Sequence, residues 1–162
     1  MTLAERRQTI FLYTDGASSG NPGPGGYGVI LRCGSLEKEL SAGFSCTTNN
    51  RMELMAVIVG LEAIKWDRAE VTVTSDSRYV VQAVNEGWLE NWKRKGFRRV
   101  KNPDLWLRLI PLLERHNVRF TWVHGHSGHP ENERCDALAV AAGAGAAAAG
   151  TVLPPDPGYA PE

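Results

Sequence analysis

Apolar positions along the chain change period several times, and each change marks an element. Thr9 to Thr14 is a short apolar run rich in β-branched and aromatic residues. It reads as a buried strand that stops at Asp15, before a chain of Gly, Ser, Asn and Pro. Tyr27-Gly-Val-Ile-Leu-Arg predicts a second strand. A hairpin around Gly34-Ser35 leads to a third over 36–45. The period then turns helical over Arg51–Trp66, with Leu54, Val57, Ile58, Leu61 and Ile64 on one stripe. Glu70–Ser75 is a fourth strand ending at Asp76, followed by a helix from Ser77 that closes near Gly87. Asn102-Pro-Asp opens a further helix, with Leu105, Leu109 and Leu112 on its buried side and a kink expected at Pro111. Val118–Val123 is a fifth strand, and Pro130 starts a helix carrying Cys135, Asp136 and Leu138.

This order predicts an α/β sandwich: hairpin-linked antiparallel strands continuing into strands joined by helical crossovers. If the first and fourth strands are parallel neighbours, Asp15 and Asp76 emerge at one sheet edge, where open α/β sheets keep their sites. Residues 1–142 are expected to form one domain. From about residue 143 the composition collapses into Ala, Gly and Pro, and 143–162 is expected to be a disordered tail.

At 162 residues, 43% hydrophobic and 22% charged, the chain suits one soluble globular domain. Its formal net charge is zero, so attraction to a polyanion must come from local asymmetry. Three cysteines without a CxxC pair, and no apolar run of spanning length, point to a cytoplasmic protein without a membrane segment.

Gly23-Pro-Gly-Gly-Tyr-Gly28 matches GxGxxG but opens a strand instead of a helix, so the dinucleotide reading is rejected. His124, His126 and His129 lack an HExxH frame and helical ligand spacing, which argues against zinc. Four acids are more informative. Each has a structural role open to it: Asp15 in a turn, Asn50 with Glu53 as a capping box, Asp76 with Ser77 at a helix start, Asp136 on a solvated rim. Two strand ends, a first helical turn and a stripe edge can nevertheless converge. Unpaired carboxylates in contact raise each other's pKa, and divalent cations remove the conflict. An all-oxygen set favours Mg²⁺ or Mn²⁺. Two such ions suit phosphodiester cleavage. Asn21, Thr48, Asn49 and Asn50 lie in neighbouring loops and can reach sugar hydroxyls and phosphates. The basic run from Lys93 to Lys101, beside Trp88, Trp92 and Phe97, suits a nucleic-acid grip or a solvated face over a small tryptophan core.

YTDGASSGNPGPGGYG, TTNNRMEL, SDSRYV and HGHSGHPENERCDALA, in order between Thr9 and Ala142, resemble the bacterial type 1 ribonucleases H. The resemblance implies a ribonuclease H-like five-stranded mixed sheet flanked by helices. It also implies a monomer that cleaves the RNA strand of RNA–DNA hybrids to 5′-phosphate and 3′-hydroxyl ends with two Mg²⁺ ions, Mn²⁺ substituting. By that resemblance Asp15 contacts both metals, Glu53 and Asp76 complete one site, and Asp136 belongs to the other. His126 matches a loop histidine linked to proton transfer and product release. Gly16, Ser18, Gly20, Asn21, Asn49 and Asn50 match positions lining the hybrid's minor groove, and Thr48 a pocket for a DNA-strand phosphate. Trp88, Trp92, Lys93 and the basic residues after them match the family's protruding handle. The chain departs from the pattern in a shortened handle before Lys101, in Arg78 where glutamine is common, a substrate-binding position at which a groove hydrogen bond is swapped for a charged one, and in His124 where lysine is frequent. The rival expectations are a DNA-directed nuclease on the same sheet and a non-catalytic hybrid-binding module. Four retained acids speak against the latter, because clustered negative charge repels phosphates.

Overall fold

A computed structural model describes residues 8–125, 128–145 and 153–159. Five strands, β1 (Ile10–Ser18), β2 (Gly23–Cys33), β3 (Leu36–Thr47), β4 (Glu70–Ser75) and β5 (Asn117–Trp122), form one sheet in the order β3-β2-β1-β4-β5. The β1/β2 and β2/β3 pairs are antiparallel, and β1/β4 and β4/β5 are parallel. The helices are α1 (Asn49–Glu62), α2 (Arg78–Asn85), α3 (Trp88–Arg94), α4 (Pro103–Arg115) and α5 (Pro130–Gly143).

Register assigns the two faces. Leu12 pairs with Leu31, and its side chain lies against Gly60 of α1. Asp15 pairs with Gly28, and a Cβ at Gly28 would strike the backbone of Cys135 in α5. The helices α1 and α5 therefore cover opposite faces. Asp15 shares the α5 side, since side chains alternate along a strand. All five residues of the expected α1 stripe are buried, from Leu54 to Ile64.

Three local expectations change. The first strand does not stop at Asp15 but runs to Ser18, because Gly25, Gly26 and Gly28 of β2 allow close pairing there. Its parallel pairing with β4 ends earlier, at Tyr13 and Thr74, so Asp15 lies just beyond the point where those strands part. The α1 cap is Thr48, whose Oγ1 accepts from the Arg51 amide at 3.2 Å; the expected Asn50–Glu53 capping box is not used. Pro111 sits inside α4, which runs unbroken to Arg115.

Residues 153–159, within the stretch expected to be a tail, lie against β3 and the start of α1. The Ser45 amide donates to Pro154 O at 2.9 Å, and Asp156 is 4% exposed. Asp156 accepts from Arg51 Nε at 2.6 Å and from Thr47 Oγ1 at 2.7 Å, while Tyr159 packs under the Arg51 guanidinium. A buried cation at the start of α1 needs a buried counter-ion, and this short segment supplies it.

Candidate active site

Four elements contribute acids at the edge where β1 and β4 diverge. Asp15 comes from β1, Glu53 from the second turn of α1, Asp76 from the residue after β4, and Asp136 from α5. One carboxylate oxygen each from Asp15, Glu53 and Asp76 lie within 4.8 Å of one another. Asp136 stands apart from that group, yet its charge acts on Asp15 from the α5 side. Where the sequence predicts one quartet, three acids cluster and Asp136 stands outside that cluster.

Gly16 makes the triad possible. A Cβ there would fall on the backbone of Met52 and Glu53, so only glycine lets α1 approach β1 this closely. Gly16→Ala is expected to destabilise the fold by about 3 kcal/mol through overpacking. It should also weaken divalent-cation binding by displacing Glu53. Thermal melts and a Mg²⁺ titration check both effects.

Burial pushes the Asp15 carboxyl up to about 7; its hydrogen bond with Glu53 opposes this, and the charges of Asp76 and Asp136 add to it. Glu53 is raised well above the usual carboxylate range, first by burial and then by the Asp15 charge. Its Oε2 is buried without a hydrogen-bond partner among the described residues. Clustered acids that are this poorly solvated, with one oxygen left over, fit a hard divalent cation ligated by oxygen. No His or Cys joins the set among the described residues, which disfavours zinc.

Beside the acids, the Ser18 amide donates to Asn49 Oδ1 at 2.7 Å, and the Asn49 amide donates to Asn21 Oδ1 at 3.1 Å. Ser18 Oγ lies 2.6 Å from Gly20 O, where the backbone takes φ +83°. Ser18, Gly20, Asn21 and Asn49 thus form one interlocked rim, with Asn50 exposed next to it. Thr48 spends its hydroxyl on the helix cap. Gly125 abuts the Asp76 carboxylate, so the turn after β5 closes on the site; His126 lies outside the described residues.

The basic segment lies over a small tryptophan core. Trp92 packs edge-on to the fully buried Trp106, ring centroids 5.3 Å apart, whereas Trp88 is exposed. Arg94, Lys95, Arg98 and Arg99 line an open depression of about 640 Å³. Lys93 instead faces Glu90 and Glu114 at 3.6 and 3.8 Å, so part of its charge is answered within the protein. Trp122, the last residue of β5, also lies at the site, without a motif in the sequence to mark it. Its indole N–H donates to the Asp76 carbonyl at 3.0 Å, and the ring carries the Arg78 guanidinium at 4.7 Å.

Fold and site define an α/β protein with a cluster of carboxylates that could hold a metal ion where a mixed sheet splits. Comparison with known proteins narrows that class. The RNase H family model matches residues 7–144, and the chain belongs to that family. It is 60% identical over 138 residues to a ribonuclease H of Desulforamulus reducens, covering 82% of this chain and 86% of that protein. A ribonuclease H of Nitratidesulfovibrio vulgaris is 54% identical over 155 residues, covering 93% and 96%. Among solved structures, LC9-RNase H1, described as a type 1 RNase H with the type 2 active-site motif, superposes with a TM-score of 0.77 at 33% identity. That match covers 85% of this chain and 73% of that one. LC11-RNase H1 in complex with an RNA/DNA hybrid gives 0.63 at 30% identity, covering 85% and 99%.

Proposed function

We propose that this chain is a metal-dependent endoribonuclease that hydrolyses the RNA strand of RNA–DNA hybrids to 5′-phosphate and 3′-hydroxyl ends. The observation that carries this is the clustering of buried Asp15 and Glu53 with half-buried Asp76, with a Glu53 oxygen that has no hydrogen-bond partner among the described residues, beside the Ser18–Asn21–Asn49 rim. The relative solved with a hybrid bound supplies the substrate class.

Asp15, Glu53 and Asp76 would hold one Mg²⁺, and Asp15 with Asp136 a second, Mn²⁺ substituting in both. Such ions supply Lewis acidity that activates a water and stabilises the leaving oxygen of a phosphodiester. The side chains set the geometry. Gly16 holds Glu53 against β1, and the parting of β1 from β4 gives Asp15 and Asp76 a common opening. Gly16, Ser18, Gly20, Asn21, Asn49 and Asn50 face the minor groove, where small polar groups distinguish a strand bearing 2′-hydroxyls. Thr48 orients the first turn of α1 through its cap. A DNA-strand phosphate reaching that turn would meet the Thr48 and Asn49 region. Trp88, Trp92 and Lys93, with the arginines that follow, grip the backbone beyond the cut. His126 matches the family's loop histidine linked to proton transfer and product release. One chain supplies all three clustered acids, which fits a monomer. Among the described residues no helix is long and apolar enough to cross a membrane. A cytoplasmic location fits the sparse cysteine set.

The test is an end-labelled hybrid incubated with Mg²⁺, Mn²⁺ or EDTA, beside double-stranded DNA of the same sequence. Cleavage confined to the RNA strand, lost in EDTA, is expected. Equal cutting of the DNA duplex would make the chain a DNA nuclease; binding without cutting would make it a hybrid-binding module.

A further inference from the structure

Trp122 has two polar or charged partners on the lip of the acid site. It is the last residue of β5, opposite Ser75, and is 36% exposed. Its indole edge is tied to the backbone of a catalytic acid, because Nε1–H donates to Asp76 O at 3.0 Å. Its face carries the Arg78 guanidinium, 4.7 Å from the ring centroid. The His124 ring stands 5.5 Å away, tilted by 54°. Arg78 is exposed and makes no ion pair among the described residues, although three carboxylates cluster nearby.

The chemistry of this arrangement is specific. A guanidinium stacked on an aromatic face uses its plane, leaving its rim of N–H donors directed outward in a fixed fork. Such a fork matches two oxygens of a phosphate, with geometry that a single amide cannot offer. A free arginine loses side-chain entropy when it binds; one already stacked loses less. Because Trp122 is anchored to Asp76, the fork is also held at a set distance from the reacting centre.

We propose that Trp122 is a positioning residue that presents Arg78 to a backbone phosphate of the substrate strand beside the cut. This converts a groove contact into a charge contact and makes hybrid binding more salt-dependent. The inference rests on the hybrid-cleaving function proposed above and adds to it a recognition element: one phosphate, read by Arg78 and preset by Trp122.

The test is binding of a labelled hybrid by fluorescence anisotropy in EDTA, where no turnover occurs, from 50 to 200 mM salt. The proteins are the wild type, Arg78→Gln, Trp122→Leu, Trp122→Phe and the Arg78→Gln/Trp122→Leu double variant. Loss of one phosphate contact should make the slope of log Kd against log salt shallower by about one. Over this range that removes roughly a threefold to fourfold share of the salt effect. Arg78→Gln and Trp122→Leu should each show it, and the double variant should show no more than either alone. Trp122→Phe keeps an aromatic face without the N–H and should restore most of the slope. Far-ultraviolet circular dichroism and thermal melts establish that each variant is folded; should Trp122→Leu not fold, the Phe variant and Arg78→Gln carry the comparison. Wild-type slopes in Arg78→Gln or in folded Trp122→Leu overturn the proposal, as does additivity in the double variant. Failure of the wild type to cleave hybrid in Mg²⁺ would instead overturn the parent function, so the two failures are separable.

Discussion

Asp15→Asn is expected to reduce Mg²⁺-dependent hybrid cleavage by about 10³-fold or more, while making the metal-free protein more stable at neutral pH. The first effect follows from removing the one acid shared by the triad and Asp136, since a positioned charge-stabilising group is commonly worth that much. The second follows from the same electrostatics. The Asp15 carboxyl is raised to about 7 in the folded protein, above its ordinary value near 3.8. Between those values the native state holds a proton that the unfolded chain has released, so stability in EDTA falls as pH rises through that window. Above pH 7 the full cost is present, and asparagine removes it. A gain of roughly 2 kcal/mol at pH 8, a Tm rise of about 4–8 °C, is expected, shrinking towards pH 4. Thermal melts across pH in EDTA check the sign. A variant that loses activity and stability together would mean that Asp15 is structural.

Arg51→Ala is expected to cost about 3–5 kcal/mol, the penalty for leaving a buried charge without its partner. Arg51 is 1% exposed and holds both Asp104, through paired hydrogen bonds at 2.9 and 2.8 Å, and Asp156. It also reaches Asn102 Oδ1 at 3.2 Å. Its removal strands Asp156, which would keep only Thr47 Oγ1 of these side-chain donors. The Tm should fall by about 10 °C. Arg51→Met paired with Asp156→Leu should lose less than Arg51→Ala, because a buried pair replaced by apolar groups leaves no orphan charge. Burial alone would raise the Asp156 carboxyl; the hydrogen bonds and charge of Arg51, with Thr47, more than offset that and hold it below its ordinary value. The stability it contributes is therefore present above the unfolded pKa of about 3.9 and is lost as pH falls towards the folded value. Urea unfolding at pH 7 and pH 3 measures both effects.

How legible the site was in the sequence depended on how local each signal is. Asp15 and Asp76 could be placed because apolar runs end beside them, and the alternation of β1 and β4 puts those ends side by side. Glu53 looked like half of a capping box, since capping is a contact between near neighbours. Thr48 took the cap and left Glu53 to the site, a choice decided by the close approach at Gly16. The glycine run after Asp15 reads as a loop by composition, yet β1 continues through it because β2 offers glycines opposite. The stretch 153–159 has little apolar bulk, and composition alone gives it no reason to pack. Its signal lay 105 residues away, in an arginine between Asn50 and Met52 at the start of a buried helix, which needs a counter-ion. Trp122 was invisible for a related reason. A tryptophan closing a strand reads as core, and only the fold shows it lying across Asp76 and Arg78.

Crystals soaked in Mn²⁺ and measured for anomalous scattering test the central claim most directly. An anomalous peak within metal–oxygen bonding distance, about 2–2.5 Å, of Asp15, Glu53 and Asp76 is expected, and it should vanish in Asp15→Asn. A saturating soak that leaves those three carboxylates without a peak, or an unchanged peak in Asp15→Asn, would contradict it.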